Sequence, residues 1–337
     1  MANLSKLQSD ALNHAAKYLV NAPVFTGDPG VPVAAAPNAY GTAFGYQLGS
    51  LGSPLGVLNI IQKYTFPADN NSTDVADLLD AGYSRAGSNS STHGYAAGGR
   101  APGYVNVIQK FPFSVEDNAT DVGDLNANRG YAAGMSSPDH GYAAGGLQPP
   151  YQSTNYKYAF ASDGNSTSVG PIGTVRGYHV GNCTDTTGYI LGGRSPAYLS
   201  STVKFPFASD TPYSASGTLI VGTGYVSDHG QNSATDSYVS GGRSPSYFRN
   251  IQKMPFASEG SYSSVGNLLA AFAFQNGNSS DANGYINGGN ASGPSAPLVG
   301  GPGYKDIIQK FPFASDGDAS DVGDLLNISG WMSGNDT

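Results

Sequence analysis

The chain has 337 residues, of which 47 are glycine and 21 are proline, while only 12% are charged. Its 22 tyrosines and 14 phenylalanines exclude a disordered polymer, because chains too polar to fold lack aromatic residues. The net charge of -8 and the single cysteine, Cys183, argue against a basic nucleic-acid-binding surface, a disulfide scaffold and a cysteine-rich metal site.

Residues 1–40 differ in pattern from the rest of the chain. Apolar residues recur here at helical spacing, which predicts one short amphipathic α-helix. Its apolar stripe contains Leu4, Leu7, Leu12, Tyr18 and Leu19. A segment rich in proline and alanine follows, too poor in pattern to form a domain. The apolar stripe requires a partner, either the main domain of the same chain or another chain, and we expect residues 1–40 to be an attachment segment.

The N-terminus carries no signal-peptide apolar core, and no stretch of the chain approaches the length of an apolar membrane span. The sequence therefore predicts a protein that is made in the cytoplasm and is not inserted into a membrane.

From residue 41 onward, one sequence unit recurs six times, and we number these repeats 1 to 6. Each contains the pattern Gly-Tyr-x-x-Gly-Gly or a variant of it, with successive tyrosines 47 or 49 residues apart. The tyrosines are Tyr46, Tyr95, Tyr142, Tyr189, Tyr238 and Tyr285. A fixed period of this size indicates a repeat architecture before any local propensity is considered.

Three further elements follow each tyrosine. The first resembles Ile-Gln-Lys-Phe-Pro-Phe and contains Lys63, Lys110, Lys157, Lys204, Lys253 and Lys310. The second resembles Asp-Val-Gly-Asp-Leu and begins at Asp74, Asp121, Ser168, Ala215, Ser264 and Asp321. The third is an aromatic residue followed by small residues, at Tyr83, Tyr131, Tyr178, Tyr225, Phe274 and Trp331. Each repeat therefore contains four short β-like segments separated by turns.

Four short strands in about 47 residues match one blade of a β-propeller. The repeats predict an all-β fold over residues 41–337, a six-bladed β-propeller with four strands per blade. The strand of Tyr46 has no preceding aromatic strand, whereas the last such strand, at 329–334, has nothing after it. The N- and C-terminal strands are therefore expected to complete one blade and close the ring.

The double glycine after an apolar strand and the period near 50 resemble kelch repeats. The fuller pattern, HGYxxGG followed by IQKFPF, DVGDL and RGYxAG, is similar to kelch-like repeat proteins of marine bacteriophages, especially cyanophages. This resemblance covers about residues 40–334. It implies a viral structural protein of the tail-fibre or appendage type, located in the virion after assembly in the host cytoplasm, whose N-terminal segment docks to other virion proteins. The actin-binding and adaptor roles of cellular kelch proteins are not implied, because the tryptophan of ordinary kelch repeats is absent at its expected place.

The strongest candidate site follows the double glycine. Three repeats read Gly-Gly-Arg-x-Pro-x-Tyr and a fourth keeps the tyrosine, so the candidate ligand-binding residues are Arg100, Tyr104, Tyr151, Arg194, Tyr198, Arg243 and Tyr247. Equivalent loops are expected on one face of the propeller, where guanidinium and aromatic groups stack on sugars and bind carboxylates. The alternative is architectural: each arginine bonds neighbouring carbonyls and each tyrosine covers the core.

No constellation for catalysis is recognisable. Glycoside hydrolysis requires paired carboxylates, and a sialidase-like site requires a glutamate beside the arginines. The two glutamates, Glu116 and Glu259, both lie in the turn after the Phe-Pro-Phe strand or its variant. The acidic turns at 69–74 and 316–321 lack a complete set of calcium ligands, so we interpret them as Asx turns and expect neither a metal nor a cofactor.

The sequence thus predicts a non-enzymatic virion protein that presents a propeller for host attachment. Its expected partners are other virion proteins, further copies of itself in the particle, and a receptor that is a surface glycan or a protein. A purely structural capsid decoration or assembly protein without a receptor is the main alternative. A sialidase-like carbohydrate-active enzyme is the less favoured one.

Overall fold

The structure, a computed structural model, describes residues 43–52, 56–224 and 229–337, all of which belong to the unit Pro37–Thr337. The predicted N-terminal helix, with Leu4, Leu7, Leu12, Tyr18 and Leu19, lies outside the described residues, as does Tyr225.

The described residues form an all-β structure, as the sequence predicts, with one short 3-10 helix at Ala296–Val299. In the first half of the chain the strands are β1 (Phe44–Gly52), β2 (Gly56–Thr65), β3 (Thr73–Asp77), β4 (Ala86–Asn89), β5 (His93–Ala97), β6 (Arg100–Ala101), β7 (Gly103–Tyr104), β8 (Val107–Pro112), β9 (Thr120–Asp124), β10 (Ala133–Ser136), β11 (His140–Ala144), β12 (Thr154–Ala159) and β13 (Thr167–Pro171). In the second half they are β14 (Val180–Cys183), β15 (Thr187–Leu191), β16 (Arg194–Ser195), β17 (Ala197–Tyr198), β18 (Ser201–Pro206), β19 (Ser214–Thr218), β20 (Gln231–Asn232), β21 (Asp236–Ser244), β22 (Ser246–Pro255), β23 (Gly260–Ser261), β24 (Ser263–Ala273), β25 (Asn276–Ser279), β26 (Asn283–Asn287), β27 (Asn290–Ala291), β28 (Gly303–Pro312), β29 (Ser320–Gly330) and β30 (Ser333–Asp336).

These strands form four-stranded antiparallel sheets in a repeated pattern, which confirms that part of the sequence prediction. The aromatic segment that ends each sequence unit leads into the first strand of the next sheet, so from here on we count it with the next repeat. In repeats 2 to 6 the strand orders are β4-β5-β8-β9, β10-β11-β12-β13, β14-β15-β18-β19, β20-β21-β22-β24 and β25-β26-β28-β29. In repeat 1, the C-terminal strand β30 pairs antiparallel with β1, which continues to β2 and β3. We name the four positions a to d in this order, so that the a strands are β30, β4, β10, β14, β20 and β25.

The apolar core lies between successive sheets. In each repeat the tyrosine of the b strand packs against the last phenylalanine of the Lys-x-Pro-Phe element, or its equivalent, in the following sheet. The pairs are Tyr46–Phe113, Tyr95–Phe160, Tyr142–Phe207, Tyr189–Phe256, Tyr238–Phe313 and Tyr285–Phe66, with ring centroids 4.7 to 5.1 Å apart. Burial of an aromatic side chain of this size contributes about 2 kcal/mol, so these contacts are the main apolar attachment of one sheet to the next.

The repeated lysines also join neighbouring sheets. Each binds an acidic side chain in the turn between the c and d strands of the following repeat, and the pairs are Lys63–Glu116, Lys110–Asp163, Lys157–Asp210, Lys204–Glu259, Lys253–Asp316 and Lys310–Asp69. Because these pairs are partly exposed, each contributes at most about 1 kcal/mol. Their regularity sets the position of one sheet against the next more than it adds to stability.

The a strands of neighbouring repeats are tied together at both of their ends. Just before five of the a strands, all except β20, the described backbone has a residue with positive φ, between 54° and 66°. Four of these residues donate their backbone N–H to the carbonyl of the equivalent residue in the preceding repeat. The observed bonds run from Trp331 to Phe274, Ser84 to Trp331, Tyr131 to Ser84, and Tyr178 to Tyr131. At the other end, backbone N–H groups donate to side chains of the next repeat, namely Asn89 to Ser136, Asn232 to Ser279, and Ser279 to Asp336.

One sequence alignment needs correction here. The sequence places Tyr83 in register with Tyr131 and the other aromatic residues. In the structure it is Ser84, with φ 54°, that takes the equivalent backbone position, and Tyr83 lies one residue earlier. The a-strand glycines mark this register, because Gly87 lies three residues after Ser84 just as Gly134 lies three residues after Tyr131.

Glycine in the middle of the a strands permits their close approach. A Cβ on Gly134 would lie 1.9 Å from the carbonyl oxygen of Gly87, and one on Gly181 would lie 2.1 Å from the carbonyl oxygen of Gly134. Both contacts are with backbone, which has no rotamer with which to move away. Any larger residue would force the two sheets apart.

We expect Gly134→Ala to lower the free energy of unfolding by about 1–3 kcal/mol or more, because the added methyl group overpacks two backbones. Urea denaturation followed by the emission of Trp331 measures this loss. The matched control is Gly103→Ala, where no atom lies within 4 Å of the added Cβ. Equal unfolding midpoints for the two variants would contradict the role of the close approach.

Candidate functional site

The Gly-Gly-Arg-x-Pro-x-Tyr segments form tight hairpins. Two are the ribbons β6–β7 and β16–β17, and the third is the turn between β21 and β22. In each, the arginine lies directly opposite the tyrosine, with the guanidinium carbon 5.7 or 5.8 Å from the ring centroid, and the pairs are Arg100–Tyr104, Arg194–Tyr198 and Arg243–Tyr247. Cation–π attraction at such partly exposed sites contributes about 0.5–1 kcal/mol.

Two of the three arginines also bond within their own hairpin. Arg194 Nε donates to the Pro196 carbonyl at 2.8 Å, and Arg243 Nε donates to the Pro245 carbonyl at 2.7 Å. The architectural alternative predicts such bonds between arginines and neighbouring carbonyls, and it therefore accounts for the Nε group of each guanidinium. For Arg100, a hydrogen bond from its guanidinium to Tyr131 raises its pKa above the usual value.

The aromatic residues before the a strands converge into one cluster. We call Tyr131, Tyr178, Phe274 and Trp331 the central aromatic cluster. Their ring centroids lie 4.3 Å apart for Tyr131 and Tyr178, 5.2 Å for Tyr131 and Trp331, and 4.2 Å for the stacked pair of Phe274 and Trp331. The four rings come from four different repeats, so no local stretch of sequence contains this cluster.

The hairpin tyrosines surround the central aromatic cluster. Tyr104 lies 6.4 Å from Tyr131, Tyr151 lies 6.3 Å from Tyr178, and Tyr247 lies 5.9 Å from Phe274 between ring centroids. Trp331 Nε1 donates to the hydroxyl of Tyr304 at 3.2 Å.

Tyr198 belongs to the same surface through its neighbour Tyr247. Burial raises the pKa of Tyr247, Arg243 lowers it, and the nearby Tyr304 and Tyr198 raise it further. The structure thus brings the sequence-predicted site residues together around the central aromatic cluster. We call the whole surface the aromatic face.

Most of the aromatic face is accessible to a ligand. Tyr131 is 8% exposed, whereas the other members of the central aromatic cluster, the hairpin tyrosines and the three arginines are each partly exposed. Six of the seven large apolar side chains that are exposed in the described residues lie in the segments that lead from the d strands toward this cluster, or in the long loop of repeat 6. They are Leu79, Val175, Ile220, Leu298, Leu326 and Ile328.

Sequence reasoning missed three buried arginines beneath the aromatic face. Their guanidinium Nη1 atoms donate to the carbonyl of the first residue of each double glycine, in the pairs Arg85–Gly98, Arg129–Gly145 and Arg176–Gly192, at 2.9 to 3.0 Å. Burial lowers the pKa of Arg176 to about 10. The signal in the sequence was the Arg-Gly-Tyr triplet that contains Arg129 and Arg176. These arginines hold the loops and are more deeply buried than Arg100, Arg194 and Arg243.

The two glutamates lie at the opposite end of the c strands from the aromatic face. Lys63 Nζ lies 2.6 Å from Glu116, and Lys204 Nζ lies 2.5 Å from Glu259. Both carboxylates are therefore paired away from Arg100, Arg194 and Arg243. Within the described ranges, no three His, Cys, Asp or Glu side chains are grouped so that they could hold a metal ion.

One buried carboxylate has a strongly perturbed pKa. Asp336, at the end of β30, accepts hydrogen bonds from the side chain of Asn278 and, at 3.1 Å, from the backbone N–H of Ser279. Burial raises the pKa of Asp336 to about 7, and these two bonds oppose the rise. Its hydrogen-bond donors are an amide and a backbone group, and it lies at the other end of the a strand from Trp331. Asp336 therefore joins repeats 6 and 1 and does not belong to the aromatic face.

Comparison with known proteins assigns the chain to no family. No protein-family model matches the chain, and no curated protein matches it. In the part of the chain that the structure describes, no helix has the length and apolar character needed to cross a membrane.

We expect Asp336 to make the protein less stable as the pH rises from about 4 to 7. The folded state holds this proton up to a pKa of about 7, whereas the unfolded state releases it near 3.8, so the stabilising protonation is complete at low pH and is lost across that window. Urea midpoints of the wild type, measured against Asp336→Asn at each pH, isolate this contribution. Asp281→Asn, at an exposed turn, is the control. A wild type that gains stability relative to Asp336→Asn as the pH rises would show the opposite sign.

Proposed function

We propose that the six repeats close into a six-bladed, kelch-like β-propeller. The support is that contacts between successive repeats recur between repeat 6 and repeat 1. Tyr285 stacks on Phe66 with ring centroids 4.7 Å apart, Lys310 binds Asp69, and β30 pairs with β1. Each contact repeats the geometry of its five equivalents, as a closed ring of identical blades requires.

We propose further that the protein is a non-enzymatic bacteriophage virion protein that binds a host-surface saccharide through its aromatic face. The observation that carries this proposal is the central aromatic cluster, surrounded by three Arg–Tyr hairpins on the same face. Aromatic planes stack on the apolar face of a sugar ring, while phenol and guanidinium groups hydrogen bond its hydroxyls. A few polar groups on an aromatic platform give orientation as well as affinity.

Two further features favour recognition. The exposed apolar side chains around the aromatic face, such as Leu79 and Ile220, form the kind of surface that marks an interaction site. Glu116 and Glu259 are engaged by lysines far from this face, so the residues around Arg100, Arg194 and Arg243 suit binding better than glycoside hydrolysis.

The virion part of the proposal depends on the resemblance of the repeats to phage kelch-like proteins. In this proposal residues 1–40 attach the protein to other virion proteins, further copies assemble in the same particle, and the aromatic face points outward. Such a protein is a tail fibre or a head or tail appendage. A decoration protein without a receptor would place the aromatic face inside a lattice of chains instead.

Ring closure can be tested by moving one strand. Removal of residues 333–337 should abolish cooperative unfolding, because β1 loses its a-strand partner and exposes an unpaired edge. A second variant, in which residues 333–337 are placed before Ala43 through one glycine, should restore it, since Ala43 N–H already bonds the Thr337 carbonyl at 2.6 Å. Calorimetry measures both. Failure of the second variant, with the wild type folded, would contradict closure through repeat 1.

Binding can be tested on an array of bacterial surface glycans. We expect the wild type to bind saccharides and to change the emission of Trp331, the single tryptophan of the chain. The triple variant Arg100→Ala, Arg194→Ala, Arg243→Ala should lose about tenfold or more in affinity, because three hydrogen-bonding cations are removed. Lys110→Ala, at the opposite end of a c strand, is the control. Unchanged binding by the triple variant would contradict the choice of face, and cleavage of a bound glycan would indicate an enzyme.

A further inference from the structure

Arg100 differs from the two equivalent arginines in its surroundings. The backbone of Arg100 exchanges hydrogen bonds with Tyr83, whereas the backbones of Arg194 and Arg243 exchange theirs with Gly177 and Gly224, which have no side chain. A repeated residue is usually architectural, so a departure from the repeat at one position calls for a local cause.

Three tyrosines surround the guanidinium of Arg100. Tyr104 lies opposite it in the hairpin, with the guanidinium carbon 5.7 Å from the ring. Tyr83 lies on the other side, where the backbones of Arg100 and Tyr83 exchange hydrogen bonds of 2.9 and 3.1 Å. Tyr131 completes the group, 6.4 Å from the rings of both Tyr83 and Tyr104. We call these four residues the Arg100 subsite.

No carboxylate is among the groups that affect the pKa of Arg100, which are all tyrosines. The nearest acidic residue in the adjacent loop is Asp80. Its Oδ1 already accepts hydrogen bonds from Arg85 Nη2 and from Gln109 Nε2, each at 2.7 Å. Among the residues that the structure describes, no acidic side chain forms an ion pair with Arg100, whose own side chain is partly exposed.

The loops around this position carry no acidic side chain. The segments at 98–106, 145–153, 192–200 and 241–250, which connect the b and c strands of repeats 2 to 5, contain no aspartate or glutamate. The chain as a whole has a net charge of -8. The acidic residues are thus concentrated away from these loops, and the aromatic face is a locally basic surface that attracts anions.

We propose that the Arg100 subsite binds the carboxylate of an acidic saccharide, an inference that rests on the saccharide-binding function proposed above. A guanidinium presents paired N–H donors that match a carboxylate in a bidentate arrangement. Tyr83 and Tyr104 offer hydroxyls and ring faces on either side for the sugar that bears the carboxylate. Arg194 and Arg243, already bonded to their hairpins, contact neutral parts of the same glycan.

The test uses matched ligands. An array carries uronic-acid and sialylated oligosaccharides, each beside its carboxyl-reduced counterpart, in which the carboxylate is replaced by a hydroxymethyl group. We expect the wild type to bind the acidic member about tenfold to a hundredfold more tightly, the range of a charge-assisted hydrogen-bonded pair. Added salt should reduce this preference.

Single-residue variants distinguish the role of Arg100 from that of the equivalent arginines in other repeats. Arg100→Ala should bring the preference for the acidic member close to one, whereas Arg194→Ala should weaken both members and leave their ratio unchanged. Tyr104→Phe keeps the ring and removes one hydroxyl, so it should leave most of the preference intact. Lys110→Ala is the control for both ligands, and the urea midpoint of each variant shows that it is folded.

The outcomes distinguish this inference from the function on which it rests. A wild type that binds acidic and carboxyl-reduced members equally would overturn the carboxylate subsite and leave saccharide binding in place. A preference that survives Arg100→Ala but is lost in Arg194→Ala would overturn the assignment to Arg100. No binding to any member of the array would overturn the proposed function itself.

Discussion

The close approach of the a strands is the constraint on which the rest of the structure depends. Gly134 and Gly181 lie so near to the carbonyl of the equivalent glycine in the preceding repeat that no side chain fits between them. The a strands therefore carry no side chain at these glycines, and they are held by hydrogen bonds at their two ends. Their other residues, such as Met135 and Cys183, join an apolar core that extends outward between the broad faces of the sheets. The tyrosines of the b strands and the phenylalanines of the c strands meet there.

The same constraint creates the aromatic face. To pass from the d strand of one repeat to the a strand of the next, the backbone takes positive φ at one residue, which is sterically costly for any residue other than glycine. The hydrogen bonds from Ser84, Tyr131, Tyr178 and Trp331 to their equivalents stabilise this conformation. Because the a strands are close together, the side chains of Tyr131, Tyr178 and Trp331 meet. Architecture thus places aromatic side chains where a ligand can reach them.

The two ends of the c strands carry different kinds of charged side-chain contact. At one end, lysines and acidic side chains of neighbouring repeats pair with one another, as Lys157 and Asp210 do at 3.0 Å. At the other end the arginines lie over tyrosines, and the guanidinium of Arg100 lies among aromatic groups. At the lysine end, opposite charges therefore neutralise each other in ion pairs. At the arginine end, cationic and aromatic groups lie together on one surface.

The sequence predicts the repeats, the four strands in each and the position of the Arg–Tyr pairs, because all of these follow from local patterns. It also contained a signal for the ion pairs, since Lys63, Lys110 and Lys157 each precede their acidic partner by 53 residues. The offset exceeds one repeat, so a search within single repeats does not find it. The alignment of Tyr83 in place of Ser84 followed the aromatic residue, whereas the spacing to Gly87 already indicated the correct register.

The sequence by itself determined an all-β chain of four-stranded repeats and the kinds of side chain that each repeat contributes. The tertiary structure decided which of them meet. The central aromatic cluster combines residues that lie between 47 and 200 positions apart, as Tyr131 and Trp331 illustrate. It also decided that Arg100 pairs with Tyr83, whereas Arg194 and Arg243 pair with Gly177 and Gly224. The physical reason is that periodicity specifies local conformation, whereas the contacts between repeats depend on how closely the backbones pack.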